Sequence, residues 1–193
     1  MRFYKKIKQQ FIQSLSIISV LFFASNLYAA QGSIQIQNAE LIPSTDKYSL
    51  NADFDLNLNT VLEGALNKGV PLTLLVEFQL SSPRKYWFDD EIITQSYRIS
   101  LSYHTLSRQY LINQHSHQYS FSSLQQAKEM LTKIKDWVVI DKSLLKKGDI
   151  YQAALRVRLD QSKLPKPLQV EASGSEDWNL VSERHQWTPS LNF

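Results

Sequence analysis

Ile99-Ser100-Leu101-Ser102-Tyr103-His104-Thr105-Leu106-Ser107-Arg108-Gln109-Tyr110-Leu111-Ile112 is the stretch whose reading decides the fold. Ile99, Leu101 and Tyr103 alternate with Ser100 and Ser102. Period two with one apolar side marks a half-buried strand. The polar corner after His104 turns the chain, and Arg108–Asn113 pairs back as a hairpin. Gln118–Phe121 extends the meander.

The same alternation runs outward from this hairpin. Leu50, Ala52, Phe54, Leu56 and Leu58 share one face of Tyr48–Asn59, opposite Asn51, Asp53, Asp55, Asn57 and Asn59. Ser33–Ile42, Leu72–Leu80, Ile93–Tyr103 and Tyr151–Asp160 read as further strands, with Trp137–Ile140 and Trp178–Trp187 as shorter ones. Helical spacing is confined to Thr60–Lys68 and Ser122–Asp136, with a brief turn of helix capped by Asp141. Thr60 and Glu63 fit a capping box and Gly69 a left-handed stop. Leu164-Pro165-Lys166-Pro167-Leu168 is expected to be extended, because proline disfavours helix at the residue before it, and to serve as a rigid connector that crosses from one sheet to the other or as a ligand for an aromatic groove. The expectation is a mainly β, single-domain antiparallel β-sandwich, or a sheet with one longer and two short helices, over residues 31–193.

Residues 1–30 read as a signal peptide. Arg2, Lys5, Lys6 and Lys8 precede the apolar run Phe11–Ala24, and Ala29-Ala30 offers small residues for cleavage. Export to the periplasm is the expected localisation; an uncleaved inner-membrane anchor is the alternative. The chain holds 21 Lys+Arg against 18 Asp+Glu. Four of those cations lie in the leader, so residues 31–193 are close to neutral and nucleic acid is not an expected partner. With no cysteine, stability must come from a packed core.

Two motifs carry a family resemblance: Ser102-Tyr103-His104-Thr105-Leu106-Ser107-Arg108-Gln109-Tyr110, and Arg158-Leu159-Asp160-Gln161-Ser162-Lys163-Leu164-Pro165-Lys166-Pro167-Leu168-Gln169. With Gly69-Val70-Pro71-Leu72, Tyr86-Trp87-Phe88 and Asp177-Trp178, they make the chain resemble domain-of-unknown-function family 4390, small exported proteobacterial proteins sometimes labelled proline-rich signal peptide proteins. The resemblance implies no activity, cofactor or catalytic residue. It implies an association with a membrane sensor kinase of the nitrogen-regulation type.

The sharpest surface feature is Tyr86-Trp87-Phe88, flanked by Arg84 and Lys85 before and Asp89 and Asp90 after. Three consecutive aromatics cannot all point inward on a strand, so at least one is expected to be exposed or bulged; Tyr86, Trp87 and Phe88 are the candidate contact with an envelope protein or the membrane surface, and the plainer reading sets Trp87 in the core with Tyr86 and Phe88 shielding a sheet edge. Tyr103, His104, Arg108 and Tyr110 bracket the hairpin corner as candidate ligand-binding residues, with Arg108 expected to reach carbonyls or a carboxylate such as Asp160. His104, His115 and His117 could bind zinc or copper if neighbouring strands brought them together; a solvated polar turn is the plainer reading. Asp53 and Asp55 share a face as paired carboxylates or as a wet surface. No Gly-x-Ser-x-Gly elbow or glycine-rich phosphate loop occurs. The preferred function is therefore a non-enzymatic interaction module, with no cofactor or metal assigned; a small-ligand or metal binder, or an unrecognised hydrolase, is the alternative.

Overall fold

A computed structural model describes residues 31–84, 86 and 89–191 of the 193-residue chain. The leader reading, and Lys85, Trp87 and Phe88, lie outside the described residues. The protein is mainly β: 51% of the described residues lie in strands, and these form two antiparallel sheets with no closed barrel among them.

The element order is β1 (Ser33–Pro43), β2 (Lys47–Asn57), α1 (Thr60–Asn67), β3 (Leu72–Ser82), β4 (Asp90–His104), β5 (Gln109–Gln114), β6 (His117–Phe121), α2 (Leu124–Leu131), β7 (Lys133–Asp141), β8 (Gln152–Leu159), α3 (Lys166–Ser173) and β9 (His185–Trp187). Short 3-10 turns lie at 142–144, 161–163 and 176–178. One sheet has the order β1-β2-β7; the other runs β6-β5-β4-β3-β8-β9.

The alternating stripes meet in one core. Tyr48, Leu50, Ala52, Phe54 and Leu56 of β2 are buried, as are Leu72, Leu74, Val76, Phe78 and Leu80 of β3. Tyr97, Ile99 and Leu101 of β4 join them, with Ala153, Leu155, Val157 and Leu159 of β8. Three strands cannot cover six, so α1 contributes Leu62 and Leu66 and α2 contributes Ala127 and Leu131 to the same core. In β1 the apolar phase jumps from Ile34 and Ile36 to Ala39 and Leu41. A bulge between Ile36 and Asn38 absorbs the extra residue, so both pairs stay on the core side.

Four local expectations are corrected. The helix expected over Ser122–Asp136 is Leu124–Leu131, no longer than the other two α-helices, and β7 begins at Lys133. Pairing of Ala52 with Ile134 draws the second half into the sheet. The first helix is capped by Asn59 instead of Thr60: Asn59 Oδ1 accepts from the Leu62 N–H at 2.8 Å. The proline segment is extended only to Pro165, which caps α3, and Pro167 sits in the first turn, where no amide donor is needed. It links two strands of one sheet and does not cross between sheets. The expected strand over Trp178–Trp187 is reduced to His185–Trp187, with Trp178 buried in a 3-10 turn.

Candidate functional site

The two surfaces singled out in the sequence lie at opposite ends of β4. Tyr86 precedes its start and the His104–Gln109 corner follows its end. The fifteen-residue β4 runs from one to the other, roughly 45–50 Å at the usual strand rise. They are two surfaces, not one site.

At the first end, Tyr86 is 84% exposed. Its connection is braced by Arg84, whose guanidinium donates to Asp90 at 2.6 Å. A second connection, residues 142–151, runs across the same end of the sandwich. The Lys142 N–H donates to the Asp46 carbonyl at 2.9 Å in the β1–β2 turn. The Ser82 hydroxyl at the end of β3 donates to the Ile150 carbonyl at 3.2 Å. Between those anchors the Tyr151 hydroxyl accepts from the Lys146 N–H at 2.7 Å. This strap presents Ile150, 70% exposed, and Leu144, also exposed, at the same end of the sandwich as the end of β3. Sequence reasoning missed both. They sit in a loop with no periodicity, and the Ser82–Ile150 bond ties that loop to the end of β3, which leads into the Tyr86 connection.

At the other end, Tyr103 and Tyr110 are directly cross-strand, with ring centroids 4.8 Å apart and planes tilted by 46°. Such a pair is a normal stabilising contact in a sheet. The Tyr110 hydroxyl donates to Asn67 Oδ1 at 3.3 Å, tying the hairpin to the end of α1. Burial, then the neighbouring Tyr103 and Glu63, push this hydroxyl above its ordinary value, so it stays protonated at neutral pH. His104 Nδ1 accepts from the Ser107 N–H and lies 2.9 Å from its hydroxyl, closing the turn. Arg108 adopts φ +52°, the left-handed geometry that completes the corner, and Leu106 at its tip is 92% exposed. The carboxylate expected beside Arg108 is held elsewhere: Asp160 accepts from Arg98.

The three histidines do not converge. His104 pairs with Gln109 at one end of β5, and His117 pairs with Gln114 at the other. The strand between them spans roughly 17 Å, beyond the reach of one metal ion. His115 takes φ +51° in the β5–β6 turn, its ring 4.9 Å from that of Tyr97. Among the described residues no three His, Cys, Asp or Glu side chains group as a metal site. Asp53 and Asp55 are both exposed, and Asp55 accepts from Gln37 Nε2 at 2.7 Å across the bulge. Asp55 borders a shallow hollow with Lys128, Glu129 and Lys133, as a solvated face does.

No helix among the described residues is long and apolar enough to cross a membrane. No curated protein and no solved structure matches the chain. The model of a family described as a domain of unknown function, DUF4390, matches residues 31–188. That span takes in both sheets and both quoted motifs, and the chain belongs to the DUF4390 family.

Proposed function

We propose that this chain is a non-catalytic binding module of the bacterial envelope, exported by its N-terminal leader, and that it grips a protein partner through the end of the sandwich bearing Tyr86 and Ile150. The observation that carries the reading is the exposure of these two large side chains, 84% and 70%, on separate connections tied by the Ser82–Ile150 hydrogen bond. Apolar anchors set in a polar rim are the energetic centre of protein interfaces. An isolated loop aromatic would cost entropy to order on binding; a cross-braced one costs less.

The rim favours a protein over a lipid surface. Among the described residues around this end, Lys47, Arg84, Lys142, Lys146 and Lys147 are cationic. Asp46, Asp89, Asp90, Asp141 and Asp149 balance them one for one. Docking on an anionic leaflet draws on an excess of cations. A balanced rim suits a partner of mixed charge. The membrane sensor kinase implied by the family resemblance fits as such a partner.

A photo-crosslinking residue at position 86 or 150, introduced into the full chain in intact cells, tests this. Both positions are expected to capture the same envelope protein, identified by mass spectrometry, while position 106 at the far end captures none. Adducts confined to phospholipid, or the same adducts from all three positions, would overturn the reading.

A further inference from the structure

We propose that the unpaired half of β4 is a docking slot for one short, uncharged, extended segment of a protein partner, which joins the six-stranded sheet as a strand in line with β5. The proposal stands on its own observations, apart from the exposure of Tyr86 and Ile150.

β4 has a neighbour on both edges over only part of its length. It spans Asp90–His104, and β3 lies along it from Leu101 to Asp90. On the other edge β5 reaches only from His104 back to Ile99, because the chain turns at His115 into β6. Among the described residues, the nine from Asp90 to Arg98 therefore have no strand beside them on that edge. At the usual rise this is roughly 25–30 Å of edge.

The pairing fixes where the backbone groups point. The Thr73 carbonyl accepts from the Asp160 N–H, so Thr73 faces β8 and the next residue, Leu74, faces β4. Leu74 opposes Ile99, so odd-numbered residues of β4 exchange hydrogen bonds with β3 and even-numbered ones point the other way. At Thr94 and Ser96 both the N–H and the C=O thus face outward, and no described group bonds to them. Sheet edges are ordinarily blunted by proline, by lysine or by a covering loop. Ile92-Ile93-Thr94-Gln95-Ser96 carries neither residue, and Thr94, Gln95 and Ser96 are exposed.

The shape of the slot selects its occupant. The β5–β6 hairpin closes one end and the Arg84–Asp90 connection the other, so one short strand fits. A second copy paired through the same half would bring its own β5 into line with β4, where that connection stands. The side chains set the composition. Tyr97 is buried, its ring 5.3 Å from that of Trp137 and 4.9 Å from that of His115, and Ile93 is half-buried on the same side. Alternate residues of an added strand lie beside this flank, where apolar cross-strand pairs are favourable. The charges along the slot are already engaged: Arg98 by Asp160 at 2.9 Å, Asp90 by Arg84 at 2.6 Å, and Glu91 by Gln79 at 2.9 Å. Main-chain hydrogen bonds supply the affinity and the alternate apolar contacts the selectivity, as in other strand additions to a sheet edge.

The test is fluorescence anisotropy of the full chain with a fluorescein-labelled Thr-Val-Thr-Tyr-Thr-Val-Thr peptide. Saturable binding is expected, with the Thr94 and Ser96 amides gaining protection from hydrogen exchange. Ser96→Pro should weaken binding by about tenfold or more, because it removes an N–H that β3 does not use. Ser120→Pro on the β6 edge should leave it unchanged. Should Ser96→Pro fail to fold, the peptide decides. Residues directly opposite Thr94 and Ser96 share their solvent-side orientation, so N-methylating the peptide's threonines should abolish binding and N-methylating its valines and tyrosine should spare it. No saturable binding, equal affinity of the two methylated peptides, or unchanged affinity in a folded Ser96→Pro would each overturn the proposal. So would a concentration-dependent dimer that protects the same amides without peptide, which would give the edge to a second copy.

Discussion

Arg98 Nε donates to Asp160 Oδ2 at 2.9 Å, joining β4 to the end of β8 across the intervening strand β3. The partners are unequal: the Asp160 side chain is 5% exposed, the Arg98 side chain 49%. Asp160 also accepts from the Ser162 hydroxyl at 2.5 Å. The carboxylate thus anchors the turn that follows β8 and keeps an arginine over Leu75.

That arrangement has a pH consequence. Burial by itself pushes the Asp160 carboxyl up; the hydrogen bonds from Ser162 and Arg98 outweigh it and hold the group below its ordinary range. A carboxyl depressed in the folded state contributes stability that is complete above its unfolded value of about 3.9 and is lost as pH falls through the native value. Urea unfolding midpoints should therefore be flat near neutrality on this account and fall below about pH 4. Asp160→Asn should lower stability by about 1 kcal/mol at pH 7, a modest figure because Arg98 is half in solvent. The gap to wild type should narrow as pH drops toward 2. A gap that stays constant from pH 7 to pH 2 would show that the charge has no part in it.

Asn59 offers a sharper stability test. It is 6% exposed, its Oδ1 accepts from Leu62 N–H at 2.8 Å, and its Nδ2 donates to the Asp177 carbonyl at 2.7 Å. One side chain both starts α1 and pins the 176–178 turn that carries buried Trp178. Asn59→Ala should cost about 2 kcal/mol, the sum of a lost cap and a stranded carbonyl. Asn59→Asp keeps the cap acceptor but sets a carboxylate oxygen against the Asp177 carbonyl in a buried site, so the cap alone should not restore stability. Thr60→Ala should shift the chemical denaturation midpoint only slightly.

The cap also shows what the sequence discloses and what it withholds. Thr60 and Glu63 satisfy the spacing of a capping box, yet the adjoining Asn59 takes the role because its amide has a second partner 118 residues away. No local pattern holds that information. Strand stripes such as Leu50, Ala52, Phe54 and Leu56 were legible because burial on one face imposes period two. In β1 the apolar positions change from even to odd, and the bulge gives the physical reason. The second half of Ser122–Asp136 was not legible. Leu131 and Ile134 fit a helical stripe, but pairing with β2 across more than eighty residues decides their fate. At the candidate surfaces, an exposed aromatic was expected from three in a row, and Tyr86 is one. Ile150 and the unpaired half of β4 emerge only from tertiary neighbours: a hydrogen bond from Ser82 in one case, and the turn that ends β5 at Gln114 in the other.

Leu75 tests an apolar residue on the solvent side of β3. By period it belongs with Thr73, Glu77 and Gln79 on the wet side of β3, yet it is 4% exposed, flanked by Arg98 on β4 and Arg158 on β8. The arginine stems cover it, as long charged side chains cover apolar surface elsewhere. Leu75→Ala should cost about 2 kcal/mol, well above the value for an exposed strand position. If thermal or urea unfolding shows less than about 0.5 kcal/mol, the arginine cover is not a packed layer.

Arg108 separates backbone geometry from side-chain chemistry at the corner. Its φ of +52° is left-handed, which costs a residue with a Cβ roughly 1 kcal/mol relative to glycine. Its side chain is exposed. Arg108→Gly should therefore hold or raise stability by about 0.5 kcal/mol, the relief of strain offset by added freedom in the unfolded chain. Arg108→Val puts a β-branched side chain where φ must be positive and should lower stability by more than 1 kcal/mol. The opposite signs are the diagnostic, because both variants remove the same guanidinium. Equal losses in both would mean that the side chain itself holds the hairpin, and would restore the corner as a candidate ligand site.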